Sequence, residues 1–218
     1  FIPSLNGDRL VVQDLKSGLL QWEMHLSSMP IGPVLDAGGR IFLLTTSNGD
    51  LRGLPMQAHP PKGNLWLLKT SGIVGRPVVE GGVAYLATRQ PAVLAVEASS
   101  GVVLWKHPLE TQATCRVVVK DGAICVSHRS GLDLLDARDG AQLWRQGREG
   151  EVALGVANGY VVVRDAEGKS GLRSLVNGDF FSLPTKGLVY PVGDSLIELA
   201  GAEGDGSFTS VKAWHLAP

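Results

Sequence analysis

Three acidic residues stand in a repeated setting that resembles catalytic machinery. Asp14, Glu97 and Asp136 each precede a glycine by four residues (Gly18, Gly101, Gly140), and each glycine precedes a tryptophan by four (Trp22, Trp105, Trp144). A carboxylate on a turn beside an indole could act as a general acid or base. An active site needs one copy of its acid, however, whereas a repeating sheet needs many. The three constellations are therefore read as structural. Trp66 is a partial fourth copy, and Trp66, Trp105 and Trp144 stand at equal intervals of 39 residues.

The other chemistry-bearing residues are scattered. His25, His59, His107, His128 and His215 show no metal-ligand spacing, and no neighbouring Cys or acid completes a set. They are expected at the surface or in loops. Cys115 and Cys125 flank a turn expected at Lys120-Asp121-Gly122. A two-residue turn sends them to opposite faces, which predicts two buried free thiols rather than a disulfide. The stretch Gly201-Ala202-Glu203-Gly204-Asp205-Gly206 lacks the ordered oxygens of an EF-hand and the lysine and helix of a phosphate loop, so it is read as a flexible hairpin loop. No G-x-S-x-G elbow occurs, and a hydrolase triad built from distant residues stays open. No residue is assigned a catalytic, cofactor-binding or metal-binding role.

The arginines are more suggestive. Arg76 and Arg116 are 40 residues apart, and so are Arg89 and Arg129. With strand alternation, all four fall in connections at one end of their repeats. With His128 they make a candidate positive patch for an acidic segment of a protein partner. The competing reading is ordinary solvated arginines.

These residues must be positioned by short strands. Apolar blocks of four to six residues alternate with Gly-containing turns, and no amphipathic helix is visible. The first unit turns at Asn6-Gly7-Asp8, read as a type I′ hairpin around Asn-Gly. The second turns at Gly38-Gly39 and Asn48-Gly49-Asp50, with a longer loop through Pro55, Pro60 and Pro61. The third and fourth units copy each other: Pro77 to Glu80 with Arg116 to Val119, Val83 to Thr88 with Ala123 to Ser127, and Ala92 to Glu97 with Leu132 to Asp136. A fifth, degenerate unit puts Phe180 and Phe181 near the tryptophan position. Four strands per unit of about 40 residues cannot bury both sheet faces alone, so the sheets must stack, as in a β-propeller. The turn glycine and the tryptophan are expected to set the packing between neighbours, with the indole N–H seeking an acceptor. The expected division is one propeller domain over 1–218, with a partial blade at 1–29, blades at 30–69, 70–110, 111–149 and 150–183, and a partial blade at 184–218.

Bulk properties narrow the function. Twenty basic against 21 acidic residues leave a net charge of −1, without the basic stripe that nucleic acid requires. No apolar run approaches the ~20 residues of a membrane-spanning helix. No signal peptide is visible and no initiator Met is present, so an excerpt of a longer chain is expected, with targeting unreadable.

At the Asp14/Gly18/Trp22, Glu97/Gly101/Trp105 and Asp136/Gly140/Trp144 sets the chain resembles the quinoprotein-type (PQQ-like) β-propeller repeat family. The resemblance is strong over residues 1–145 and weak beyond. It implies an all-β propeller with about five blades present. The family includes dehydrogenases that bind pyrroloquinoline quinone and calcium, and a non-enzymatic BamB-like branch. The dehydrogenases' adjacent Cys-Cys pair is absent here, their Glu-Asn-Asp calcium set is not recognisable, and the chain is short for eight blades. The resemblance thus implies a non-catalytic, periplasmic or extracellular protein-interaction scaffold with no cofactor. The alternatives are a quinone-dependent dehydrogenase or its degenerate relative, and a ligand-sensing domain of a larger receptor or kinase. The oligomeric state is left open.

Overall fold

A computed structural model describes residues 2–38, 41–56, 62–115, 117–185, 187–201 and 208–215. Among these residues there is no helix, and the strands form antiparallel sheets in which sequence neighbours pair. The chain divides into two compact units, 1–108 and 109–218.

The first unit holds three sheets. The first orders β1 (Ile2–Asn6), β2 (Arg9–Gln13) and β3 (Leu20–His25). The second orders β4 (Leu35–Asp36), β5 (Ile41–Thr45), β6 (Asp50–Pro55) and β7 (Trp66–Lys69). The third orders β8 (Ile73–Glu80), β9 (Val83–Thr88), β10 (Ala92–Glu97) and β11 (Val103–Pro108). The second unit holds three more. Its first contains β12 (Val118–Lys120), β13 (Ala123–His128), β14 (Gly131–Asp136) and β15 (Gln142–Gln146). Its second contains β16 (Val152–Ala157), β17 (Tyr160–Arg164), β18 (Ser170–Ser174) and β19 (Phe180–Ser182). The last is β20 (Leu188–Val192), β21 (Ser195–Gly201) and β22 (Phe208–His215).

The apolar blocks are continuous because middle strands are buried on both faces. In β5, Phe42 and Leu44 pack with Leu10, Val12 and Trp22 of the first sheet, while Leu43 packs with Ala84, Leu86 and Leu94 of the third. In β17, Val161 and Val163 face Cys125 and Leu134, while Val162 joins Val189 and Leu196. Side chains alternate along a strand, so a sheet with a neighbour on each face needs apolar residues at every position. Each fully buried Leu or Val contributes roughly 1.5–3 kcal/mol relative to exposure.

Turn chemistry fixes the register. Lys120 pairs with Ala123 across Asp121-Gly122, and Ala157 pairs with Tyr160 across Asn158-Gly159. Asp121 and Asn158 have positive φ (54° and 42°), as both central positions of a type I′ turn require. The Asn6-Gly7 expectation needs correction. Asn6 itself pairs with Arg9, so Gly7-Asp8 is the central pair, and positive φ falls on Gly7 alone, as in a type II′ turn. Gly39, Pro60, Pro61 and the 202–206 part of the glycine-rich loop lie outside the described residues.

The acid-to-glycine turn is the same device four times. Gly18, Gly101, Gly140 and Gly178 each donate their N–H to the carbonyl four residues earlier, on Asp14, Glu97, Asp136 and Ser174. Each glycine takes the left-handed conformation that closes such a turn, with φ from 70° to 76°. The acid side chain caps it: Asp14 Oδ1 accepts from the Ser17 N–H at 2.9 Å, Asp136 Oδ1 from the Arg138 N–H at 2.8 Å, and Glu97 from the Ser100 hydroxyl. In the fifth sheet Ser174 replaces the acid and its Oγ accepts from the Val176 N–H at 3.1 Å.

Trp22, Trp105 and Trp144 each follow a β-bulge. Val12 pairs with Trp22 but Gln13 with Leu20; Ala95 with Trp105 but Val96 with Val103; Leu134 with Trp144 but Leu135 with Gln142. The extra residue (Gln21, Leu104, Leu143) re-aims the indole. Trp66 Nε1 donates to Ala98 O at 3.0 Å, and Trp144 Nε1 to Leu175 O at 3.1 Å, each in the acid-to-glycine turn of the next sheet. The glycine of that turn lies under the ring: a Cβ on Gly101 would stand 2.5 Å from Trp66, and one on Gly178 3.2 Å from Trp144. The glycine and the indole therefore form one inter-sheet contact. In the fifth sheet Phe180 covers Gly171, and Phe181 meets Tyr160 edge-on at 5.8 Å.

Candidate functional site

The candidate arginines separate under inspection. Arg89 lies in the turn between β9 and β10, where its N–H donates to Gly72 O at 2.8 Å. Its aliphatic stem crosses Gly72, where a Cβ would come within 2.8 Å of Arg89 Cδ. Gly72 has φ of 113°, so the site is closed to other residues twice over.

Arg76 was expected in a connection but lies inside β8, where the register slips. Val74 pairs with Ala87 and Val78 with Tyr85, leaving Gly75, Arg76 and Pro77 out of register, the first two exposed and Pro77 buried. Arg76 Cγ stands 3.9 Å from where Gly32 would carry a Cβ. Both arginines are exposed, the Arg89 stem crosses Gly72 while the Arg76 stem passes near Gly32, and neither has an ion-pair partner among the described residues. They belong to one end of the third sheet, near the Ile73–Thr88 pair.

Arg129 occupies the matching turn of the second unit, after β13. It is exposed and 3.4 Å from Glu149, itself exposed, so the pair is weak. Arg116 lies outside the described residues.

His128 is a correction. It is fully buried at the end of β13, not at a surface, because both faces of that strand are covered. Its Nδ1 lies 3.2 Å from Ser130 Oγ and 3.3 Å from Thr111 Oγ1. Its Nε2 is 3.3 Å from Asp133 Oδ1, a Coulombic contact without hydrogen-bond alignment. The order hydroxyl, imidazole, carboxylate resembles a nucleophile triad. Here Asp133 is already committed, since Arg145 donates to both its oxygens at 2.6 and 2.9 Å and also pairs with Glu110. The hydrogen bonds to Asp133 hold the Arg145 guanidinium above its usual range. The set therefore acts as a buried charge network rather than as an activated hydroxyl.

Sequence reading missed that network and a second one. Glu151 and Arg173, both buried, pair at 2.6 and 2.8 Å; Arg173 also donates to Gly178 O at 2.8 Å and lies over the Phe180 ring. The available signal was a charge inside an apolar run, as in Leu132-Asp133-Leu134 and Leu172-Arg173. The acids of the repeat are engaged in their turns: the Ser17 backbone N–H leads the lowering of Asp14, and Arg138 holds the Asp136 carboxyl down to about 2. Cys115 and Cys125 are not in a disulfide, and burial pushes the Cys125 thiol up. Among the described residues no three of His, Cys, Asp and Glu converge as metal ligands.

Comparison with known proteins places these features. A family profile described as outer membrane protein assembly factor BamB matches residues 57–180. The outer membrane protein assembly factor BamB of Pseudomonas aeruginosa is 32% identical over 136 residues, covering 59% of this chain and 35% of that protein. The chain thus spans about a third of the length of that relative. Among solved structures, BamB from Moraxella catarrhalis has a TM-score of 0.57 at 17% identity, over 96% of this chain and 78% of that one. A KlHsv2 with loop 6CD replaced by a Gly-Ser linker has a TM-score of 0.67 at 9% identity, over 88% of this chain and 69% of that one. The likenesses and the stacked four-stranded sheets show a β-propeller fold. With its repeated acid, glycine and tryptophan and the profile match over more than half its length, the chain belongs to the PQQ-like repeat family of the outer membrane protein assembly factor BamB.

Proposed function

We propose that the chain is a non-catalytic scaffold that docks an acidic segment of a protein partner, on the periplasmic side, in outer-membrane protein assembly. Family membership supports a protein-interaction role in general terms. The finer reading is carried by one observation: Arg76 and Arg89, the latter with its stem across Gly72, stand exposed at one end of the third sheet, with no acid to neutralise them among the described residues. A guanidinium whose stem is already seated loses little freedom when its planar fork meets a carboxylate. Arg129 offers a similar contact in the second unit, with Glu149 to be displaced.

No quinone takes part in this reading. Cys115 and Cys125 are ten residues apart rather than adjacent, and no cluster of metal ligands forms among the described residues. Capture of the partner by the intact chain, followed by calorimetric titration, tests the proposal. Arg76→Ala with Arg89→Ala should weaken binding roughly tenfold or more, with a steep loss in salt. Unchanged affinity would remove the arginines from the interface. Incubation with pyrroloquinoline quinone and calcium should give no dye reduction; catalytic reduction would favour the dehydrogenase reading instead.

A further inference from the structure

The second strand of each four-stranded sheet ends at, or one residue short of, a polar position of common register. Thr46 lies opposite Pro30, Thr88 opposite Ile73, His128 opposite Ala113 and Arg164 opposite Val152. In the third sheet the chain satisfies that residue itself, and in the fourth it does so at one ring nitrogen, His128 Nε2 having only the Asp133 contact. Thr88 Oγ1 donates to Gln90 O at 2.5 Å, and His128 Nδ1 faces Thr111 and Ser130. Thr46 Oγ1 is buried without a partner, but it is neutral and one water would serve it.

Arg164 differs. Among the described residues its Nε and Nη2 are buried with no hydrogen-bond acceptor, and its Cζ lies 5.6 Å from the centre of the Tyr190 ring. The nearby acids are occupied. Asp165 Oδ1 accepts the N–H of Glu167 and Lys169, Glu167 pairs with the Lys169 amine, and Glu151 is held by Arg173. Two hydroxyls at the same end of the fifth sheet share the deficit. Ser170 is the register partner of Arg164 and is 4% exposed, and its Oγ has no partner. The Leu183 N–H donates to Ser170 O at 3.3 Å, and two residues on, Thr185 Oγ1 is also buried and without a partner among the described residues.

Buried donors left unpaired are costly, and Arg164, half-buried as a whole, has this Nε and Nη2 pair closed off from solvent. Nε–H and Nη2–H lie along one edge of the guanidinium plane, the edge that grips two oxygens of a carboxylate or phosphate. One water could take one of these hydrogens, whereas an oxyanion takes both and meets the charge as well. We propose that Arg164, with Ser170 and Thr185, binds a small free oxyanion, carboxylate or phosphate, with the Tyr190 ring against the face of the cation.

The test uses the whole chain, titrated with sodium phosphate and with sodium acetate at constant ionic strength, against sodium chloride. Calorimetry and the Nε–H resonance of Arg164 are the readouts. One of the two anions should bind saturably at a single site and shift that resonance, and which one does so identifies the ligand class. Arg164→Lys keeps the charge and loses the fork, so affinity should fall roughly tenfold or more. Ser170→Ala with Thr185→Val should also weaken binding, which keeps the test intact if Arg164→Lys fails to fold. Saturation by neither anion, a chloride response equal to both, or wild-type affinity in the variant that folds would overturn the proposal.

Discussion

Gly18 and Gly101 close the same turn with nearly the same backbone, φ of 70° and 75°, yet meet different surroundings. A Cβ on Gly18 would find nothing within 4 Å, whereas one on Gly101 would stand 2.5 to 2.8 Å from the Trp66 ring. Gly18→Ala should therefore cost only the left-handed penalty of an L-residue, about 1–2 kcal/mol. Gly101→Ala carries that cost plus the displacement of a packed indole, about 1–3 kcal/mol more. The displacement also strains the hydrogen bond from Trp66 Nε1 to Ala98 O. Urea unfolding by circular dichroism gives the two differences, and amide exchange in β7 and β10 shows where the second acts. Trp66→Leu removes the clash, so Gly101→Ala should cost about 1–3 kcal/mol less in that background than in wild type. Equal losses for the two glycine variants, or additive losses in the double variant, would refute the claim that glycine and indole form one inter-sheet contact.

Three further outcomes are expected. Arg173→Met leaves Glu151 buried without its partner and should destabilise by about 3–5 kcal/mol, while adding Glu151→Gln should restore part of the loss, as measured by denaturant midpoints. The Asp136 carboxyl, depressed to about 2 chiefly by the Arg138 side chain, is lower folded than unfolded. Its stabilisation is thus complete above the ordinary carboxylate pKa of ~4 and fades as pH falls toward about 2. An NMR titration should show its midpoint rising in Arg138→Ala. Burial keeps the Cys125 thiol protonated, so an alkylating reagent at mildly alkaline pH should modify Cys115 first and Cys125 only after denaturant is added, by mass spectrometry of the peptides.

The sheets were legible because their signals are local. Asp-Gly and Asn-Gly turns, and an acid, glycine and tryptophan at fixed offsets, are each the work of a few neighbouring residues, and the strands fall where those signals put them. The side-chain environments were not. Period-two alternation tells inside from outside only when one face meets water. In β13 and β14 both faces are covered, so His128, expected at a surface, is buried beside Asp133. Nor did sequence reveal the slip at Gly75-Arg76-Pro77, which moved Arg76 from a connection into a strand. The repeat spacing counts residues, and a bulge changes how they are distributed between strand and loop without changing that count. Asp133, Arg145, Glu151 and Arg173 come together only through pairing across strands and sheets, which no short window contains.

The bulge ahead of Trp22, Trp105 and Trp144 also bears on solubility. The last strands of the third and fourth sheets carry apolar groups in water, Leu104 at 50% and Leu143 at 53% exposure among them, on an edge unpaired among the described residues. A flat apolar edge invites another chain to add on and nucleate fibrils. Gln21, Leu104 and Leu143 break the even run of amide and carbonyl groups there, so an incoming strand finds no matching ladder. Deleting Leu104 would straighten that border and expose it as a polymerisation seed, seen as a rise in light scattering over time.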